Sequence, residues 1–199
     1  MSTEEIYTRR SIRKYKKDML TLEDINKILD AGRVAPSGKN KQPWKFLVYT
    51  GEKKKELLHT MENGLNRERL GESFLVDSRH GLPDAVNTLR IMREAPVIIM
   101  VVNPHGKNPF EQITADERVT EIVDSLSIGA SIENMLLKAE EMGIGTLWIA
   151  NTCFAYLELM EYMKEEGQLV CAVALGYADE EPLARPRKSL GDITEYFVG

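Results

Sequence analysis

The amino-acid sequence predicts a three-layer domain of α/β or α+β type built on one sheet. Three observations lead there. Helix-like and strand-like patterns alternate along the 199 residues, which is how a chain covers both faces of a sheet with helices. Residues 95–102, Ala-Pro-Val-Ile-Ile-Met-Val-Val, are almost continuously apolar, and a strand of that composition is a central one buried on both faces. No repeat, low-complexity stretch or Pro/Gly/Ser-rich linker divides the chain, so residues 1–199 read as a single domain.

A short helix precedes Arg9. Thr21-Leu-Glu-Asp24 opens the next helix with an N-cap hydroxyl and a capping acid. Leu22, Ile25, Ile28, Leu29 and Ala31 then keep helical spacing until Gly32 and Pro36. Ala35 to Pro43 holds two prolines and a glycine and reads as a loop. Trp44 to Tyr49, aromatic and β-branched, reads as a strand. Glu52 to Asn63 is helical in pattern. Gly64 to Pro83 is the least regular part, with Phe74, Leu75 and Val76 as an isolated apolar patch. A lid over 63–83 and an ordinary surface loop both fit it.

A helix ending near Glu94 leads into the apolar strand, and Asn103 to Phe110 forms a second exposed loop. The longest helical pattern runs from Ala115 to Met142. Val119, Ile122, Val123, Leu126, Ala130, Met135, Leu136, Leu137 and Ala139 spread its apolar surface over several faces, so it is either a central core helix or one shared with a second subunit. Gly143-Ile-Gly145 ends it. Strand 146–150, helix 156–165 and strand 169–175 follow. Residues 176–199, with two prolines, are an arm too long to pack locally; arms of this kind wrap a partner subunit.

Composition removes several functions. With 43% apolar and 29% charged residues, the chain is globular, not disordered, collagen-like or a coiled-coil rod. A net charge of −5 argues against a coat for nucleic acid or anionic membrane. The longest apolar run covers only about a third of a bilayer, and no signal-peptide core opens the sequence, which predicts a soluble cytoplasmic protein. Cys153 and Cys171 form no CxxC pair, and His59, His80 and His105 stand apart, so free thiols in a reducing compartment are expected and no metal site. The charge is nevertheless uneven. Residues 1–17 carry six basic side chains against two acids, and residues 183–190 carry three against none.

Three segments carry candidate chemistry. Arg9-Arg-Ser-Ile-Arg-Lys-Tyr15 gathers guanidinium forks that suit a phosphate or a polyol, or simply a solvated basic face. The Pro36–Pro43 loop is not a P-loop: Gly32 and Gly38-Lys39 are one residue too far apart, and Asn40 stands where a hydroxyl would hold magnesium. It offers Ser37, Asn40 and Gln42 beside Trp44. Gly143-Ile-Gly-Thr-Leu-Trp148 lacks the third glycine of a dinucleotide fingerprint and runs from helix to strand, the wrong order. Arg185-Pro-Arg-Lys188 is either a second phosphate clamp or a soluble tail.

In this order, Arg-Arg-Ser-Ile-Arg13, Ala35-Pro-Ser-Gly…Gln-Pro-Trp44, Gly-Ile-Gly-Thr-x-Trp148 and Arg-Pro-Arg-Lys-Ser-Leu190 resemble the nitroreductase family of FMN-dependent enzymes, from Tyr7 to about Phe197. The APSG segment, the lid-like stretch and the closing Arg-Lys-Ser-Leu are closest to its iodotyrosine deiodinase-like branch. The resemblance implies an α+β fold with a central mixed β-sheet flanked by helices. It also implies a homodimer with exchanged C-terminal arms and two interfacial FMN sites. Arg9, Arg10, Ser11 and Arg13 would meet the phosphate, ribityl chain and pyrimidine edge, with Arg185 and Arg187 completing the phosphate site. Pro36, Ser37, Asn40 and Gln42 would reach the flavin from the other subunit, and Trp148, Ile149 and Ala150 would lie beside its N5 face. Arg13 would stabilise the reduced, anionic flavin. No catalytic protein nucleophile is expected, because the flavin carries the chemistry.

The implied activity is ping-pong oxidoreduction, with NAD(P)H as donor and a small acceptor on the same flavin face. Deiodinases hold an amino-acid zwitterion with Glu, Tyr and Lys from the lid. Residues 63–93 contain no Tyr and no Lys, leaving Glu62, Glu68, Arg67 and Arg69 for a different clamp. Nitroaromatics or quinones therefore fit better. The alternatives are a non-catalytic flavin-binding or storage protein, a reductive dehalogenase, and an enzyme that fragments reduced FMN with oxygen.

Overall fold

Four strands make one sheet: β1 (Lys45–Tyr49), β2 (Val97–Asn103), β3 (Gly145–Ile149) and β4 (Gln168–Gly176). Their order is β1-β2-β4-β3, and each neighbouring pair is antiparallel. The computed structural model describes residues 4–199. The mixed sheet implied by the resemblance is thus not found within the four strands. Among the described residues parallel pairing is confined to one bridge, Ser11 with Thr146, because that segment touches β3 through one residue pair and then continues toward Tyr177.

Among the described residues there are six helices, and all but the first cover the sheet: α1 (Glu5–Thr8), α2 (Leu22–Arg33), α3 (Gly51–Leu70), α4 (Leu82–Glu94), α5 (Ala115–Glu141) and α6 (Tyr156–Met163). Successive side chains of a strand point to opposite faces, and β2 uses both. Val97, Ile99 and Val101 join Ile25 and Ile28 of α2 and Ile128, Ile132 and Met135 of α5. Ile98, Met100 and Val102 join Leu57 and Met61 of α3, Leu89 of α4 and Leu159 of α6. All seven residues of β2 are buried, as its unbroken apolar run predicts. Helix starts follow the sequence as well. Thr21 Oγ1 accepts the Asp24 N–H at 3.1 Å, and Thr114 and Glu117 complete a reciprocal capping box at the head of α5.

Two readings are corrected. Helix α3 continues to Leu70, seven residues past its predicted end at Asn63. Gly64, the first residue of the expected irregular stretch, is a packing residue: a Cβ there would lie 2.5 Å from Ala155 Cβ, so glycine lets α3 rest on the turn after β3. The irregular stretch shrinks to 71–81, ending in a 3-10 turn, Val76–Gly81. Of the two readings of α5, the fully covered central helix is not the one found within this chain. Its inner face packs on α2 and the sheet, whereas Val119, Ile122, Val123 and Leu126 are exposed. Beyond Ala178 the arm has no regular structure except a short turn, Leu190–Asp192, and Leu183, Tyr196 and Phe197 are exposed. No helix among the described residues is long and apolar enough to cross a membrane.

Candidate functional site

The basic N-terminal segment is threaded between the start of β3 and the chain that leaves β4. Ile12 N–H donates to Thr146 O at 2.8 Å, Lys16 N–H to Tyr177 O at 2.9 Å, and Asp179 N–H to Lys14 O at 3.0 Å. The buried Tyr15 hydroxyl donates to Ile12 O at 2.9 Å. Gly145 makes room for this passage, since a Cβ there would lie 2.8 Å from Ile12 Cγ1. Arg9, Arg10, Ser11 and Arg13 are thereby brought to Arg185 and Arg187 around one cleft of about 360 Å³. The two basic ends of the chain meet in space.

Their charges are poorly compensated. Arg10 Nη1 donates to the carbonyls of Tyr7 (2.7 Å) and Arg9 (2.9 Å), and Arg13 Nη1 to Ser11 O at 3.0 Å. Arg9 faces Glu133 at 3.5 Å. Among the described residues, Arg10, Arg13, Arg185 and Arg187 form no ion pair with a carboxylate. Four guanidinium groups around one cleft focus a positive potential there. A multi-oxygen anion such as a phosphate is the partner that forked donors bind best.

Arg13 also lines a second pocket of about 250 Å³, with Trp148, Ile149 and Ala150 at the end of β3 and with Asp84, Asn87, Thr88, Ile91 and Asn151. The arginine cleft and the strand end therefore share a residue. Asn151 Nδ2 donates to Asp84 Oδ2 and to Thr88 Oγ1, both at 3.0 Å. Its Oδ1 is the one side-chain polar atom among the described residues that is buried without a partner, and such an orphan calls for an explanation. Sequence reasoning missed Asp84, Asn87, Thr88 and Asn151. The available signal was the polar stripe at 84, 87 and 88 on a helix whose other spacing is apolar.

Pro36, Ser37, Asn40 and Gln42 line neither cleft. Their loop lies on α5, where Lys41 pairs with Asp124 at 2.6 Å and Gly38 N–H donates to Ser127 Oγ at 3.2 Å. Lys39, Asn40 and Gln42 have φ of 53°, 55° and 52°, each left-handed and each costing about 1 kcal/mol or more for a residue with a side chain. The chain thus holds this loop in a strained shape away from its own arginine cleft.

Of the polar clamp expected from Glu62, Arg67, Glu68 and Arg69, the first three are engaged within the chain and Arg69 alone stands exposed. Glu68 is 1% exposed and accepts from Arg67 Nη1 (2.7 Å), from the Phe74 N–H (3.1 Å) and from the Ser73 hydroxyl. Burial alone would raise its carboxyl, but the hydrogen bonds from Ser73, Arg67 and Phe74 bring it below the ordinary range. Arg67 also binds Glu158 at 2.6 Å and lies over the Phe74 ring, while Glu62 pairs with Arg93 at 2.8 Å. Phe74 packs against Phe110, whose ring meets that of Tyr156 edge-on, and neither phenylalanine lines either cleft. Both cysteines are free. Burial pushes the Cys171 thiol up to about 12 and raises that of Cys153, so neither is an activated nucleophile. No cluster of metal-ligating side chains occurs among the described residues.

Comparison with known proteins places this geometry. A family model described as the Nitroreductase family matches residues 6–177. An Archaeoglobus fulgidus protein, provisionally named NADH dehydrogenase/NAD(P)H nitroreductase, is 31% identical over 182 residues, covering 88% of this chain and 84% of its own. The iodotyrosine deiodinase of Thermotoga neapolitana is 26% identical over 188 residues, with 92% and 91% covered. A crystal structure of a provisionally named nitroreductase from Desulfovibrio desulfuricans in complex with FMN superposes with a TM-score of 0.71 at 25% identity, over 98% of this chain and 96% of that one. A motif order, a three-layer fold and a full-length match thus agree, and the chain belongs to the nitroreductase family.

Proposed function

We propose that this protein is an FMN-dependent oxidoreductase that takes electrons from NAD(P)H and delivers them to a small acceptor, a nitroaromatic or a quinone. The observation that carries this reading is the meeting of Arg9, Arg10 and Arg13 with Arg185 and Arg187 in one cleft, with Arg13 also lining the separate pocket at the end of β3. The residues present fit the cofactor. Uncompensated guanidinium groups suit its phosphate, and Ile91 and Leu147 give the neighbouring pocket apolar wall for a flat ring. The buried, unmet Asn151 Oδ1 marks a polar wall that is incomplete in the free chain.

FMN bound there supplies hydride and electron transfer. Arg9, Arg185 and Arg187 hold the phosphate, and Ser11 and Arg10 border the polyol. Arg13, where the two pockets join, favours negative charge beside the ring. Pro36, Ser37, Asn40 and Gln42 serve the site of a second copy. The exposed stripe Val119, Ile122, Val123 and Leu126 on α5, with the apolar side chains of the arm, supports a homodimer that covers them. Its two unpaired cysteines suit a reducing cytoplasm. Dehalogenation is the weaker reading, because Glu62, Arg67 and Glu68 near the lid are engaged with other side chains of the same chain.

Anaerobic titration of the purified flavoprotein with NADPH or NADH tests the proposal. Bleaching of the flavin band and its return on adding nitrofurazone or menadione are expected. Flavin that binds but does not bleach makes the protein a storage or binding protein, and failure to bind FMN at all removes the reading.

A further inference from the structure

The strained loop is tied to α5 by a buried carboxylate. The Asp124 side chain is 3% exposed and receives Lys41 Nζ at 2.6 Å. Asp124 Oδ2 also accepts from Asn103 Nδ2 at 3.2 Å, and Asn103 Oδ1 in turn accepts the His105 N–H at 3.1 Å. Three residues along α5, Ser127 Oγ accepts the Gly38 N–H and donates to Val123 O at 2.8 Å. Within the loop, Gln42 N–H donates to Ser37 Oγ and Asn40 N–H to Ser37 O, both at 3.0 Å. Lys41 therefore stands between two left-handed residues, Asn40 and Gln42, and its ammonium is the charged one of two ties, with the Gly38 N–H, that fix the loop to α5. A carboxylate this buried is costly without a paired cation. The only cation that reaches it among the described residues is the one the loop supplies.

We propose that Asp124 is a positioning residue for the cofactor: through Lys41 it holds Asn40 and Gln42 in the left-handed conformation in which they meet the flavin of the partner subunit. This rests on the two-subunit FMN site proposed above. Asp124 touches neither flavin nor substrate. Its influence crosses the interface and acts on the site whose arginines belong to the other chain.

Apoprotein carrying Asp124→Asn is expected to bind FMN about ten- to a hundredfold more weakly, the loss of one charge-assisted hydrogen bond. Flavin fluorescence quenching reads the affinity, while sedimentation and apoprotein Tm stay at the wild-type values. Lys41→Gln is the second variant, with the same loss expected and Asp124 intact. The decisive sample is a heterodimer in which one chain carries Asp124→Asn and the other Arg187→Ala. It should hold one FMN tightly, because the two defects fall on the same site. Two equally weakened sites overturn the shared-site reading and the cross-interface role with it. Wild-type affinity in both single variants overturns the role of Asp124 alone. An affinity loss in Asp124→Asn that follows a lowered Tm or dissociation of the dimer also overturns it, since Asp124 is then only structural.

Discussion

Arg67 and Glu68 are adjacent in sequence, yet their side chains meet at 2.7 Å and join two separate stretches of chain. Arg67 donates to Glu72 O at 2.8 Å, to Phe154 O at 3.2 Å and to Glu158, and Glu68 accepts from Ser73 and Phe74. The segment 71–81 is thus fastened to the turn after β3, the turn that carries Asn151. Its position depends on an ion pair, not on apolar packing alone.

That dependence has a pH sign. The Glu68 carboxyl lies below its ordinary value near 4.5 in the folded chain, so its contribution is complete above that value and is lost as pH falls through the lower, folded value. Limited proteolysis within 71–81 is expected to accelerate in that acid window. Glu68→Gln should show the fast cleavage at neutral pH and lose about 1–3 kcal/mol of stability. Cleavage that stays slow in the variant would mean that other contacts hold the segment.

Gly64→Ala sets two effects against each other. Inside a helix, alanine is favoured over glycine by about 1 kcal/mol. Here the new methyl would sit 2.5 Å from Ala155 Cβ and 2.6 Å from Ala155 Cα, and overpacking against backbone costs about 1–3 kcal/mol. Net destabilisation is expected in urea unfolding. A stabilised variant would show that the turn 151–155 yields.

How far the sequence spoke depends on the distance of the contacts involved. The capping residue Thr21, the apolar run of β2 and the end of α5 are local signals, and the structure keeps them. The basic clusters at 9–13 and 185–187 were visible as charge, and their meeting in one cleft, which the resemblance implied, is made by the bridges of Ser11 to Thr146 and of Tyr15 to Ala178. Gly64 misled because its partner, Ala155, lies ninety-one residues away. Asn151 carried no local signal at all; its importance comes from Asp84 and Thr88 on another helix.

The two arm arginines can be separated from the rest of the cleft by the ligand chosen. Arg185→Ala and Arg187→Ala should each weaken FMN by about tenfold, with a smaller dependence on salt than wild type, because each removes a contact proposed for the phosphate. Riboflavin, which lacks the phosphate, should bind both variants as it binds the wild type. Arg13→Ala should weaken both ligands and slow flavin reduction. Equal losses for riboflavin and FMN in the arm variants would take Arg185 and Arg187 away from the phosphate.

The exposed stripe on α5 offers a test of the dimer that leaves the subunit fold untouched. Val119, Ile122, Val123 and Leu126 fall at helical spacing on one outer face, and Leu126 is 71% exposed. A carboxylate at that position stays in water in the free chain, whereas burying it in an interface without a cation costs several kcal/mol. Leu126→Glu should therefore sediment as a monomer with unchanged helical circular dichroism and Tm lowered only by the lost association. Because the loop with Asn40 and Gln42 then has no second site to enter, FMN affinity should fall with the dimer, and added FMN should draw the variant back toward dimer by mass action. A Leu126→Glu protein that remains dimeric and fully flavinated would place the interface on another face and leave the α5 stripe without its partner.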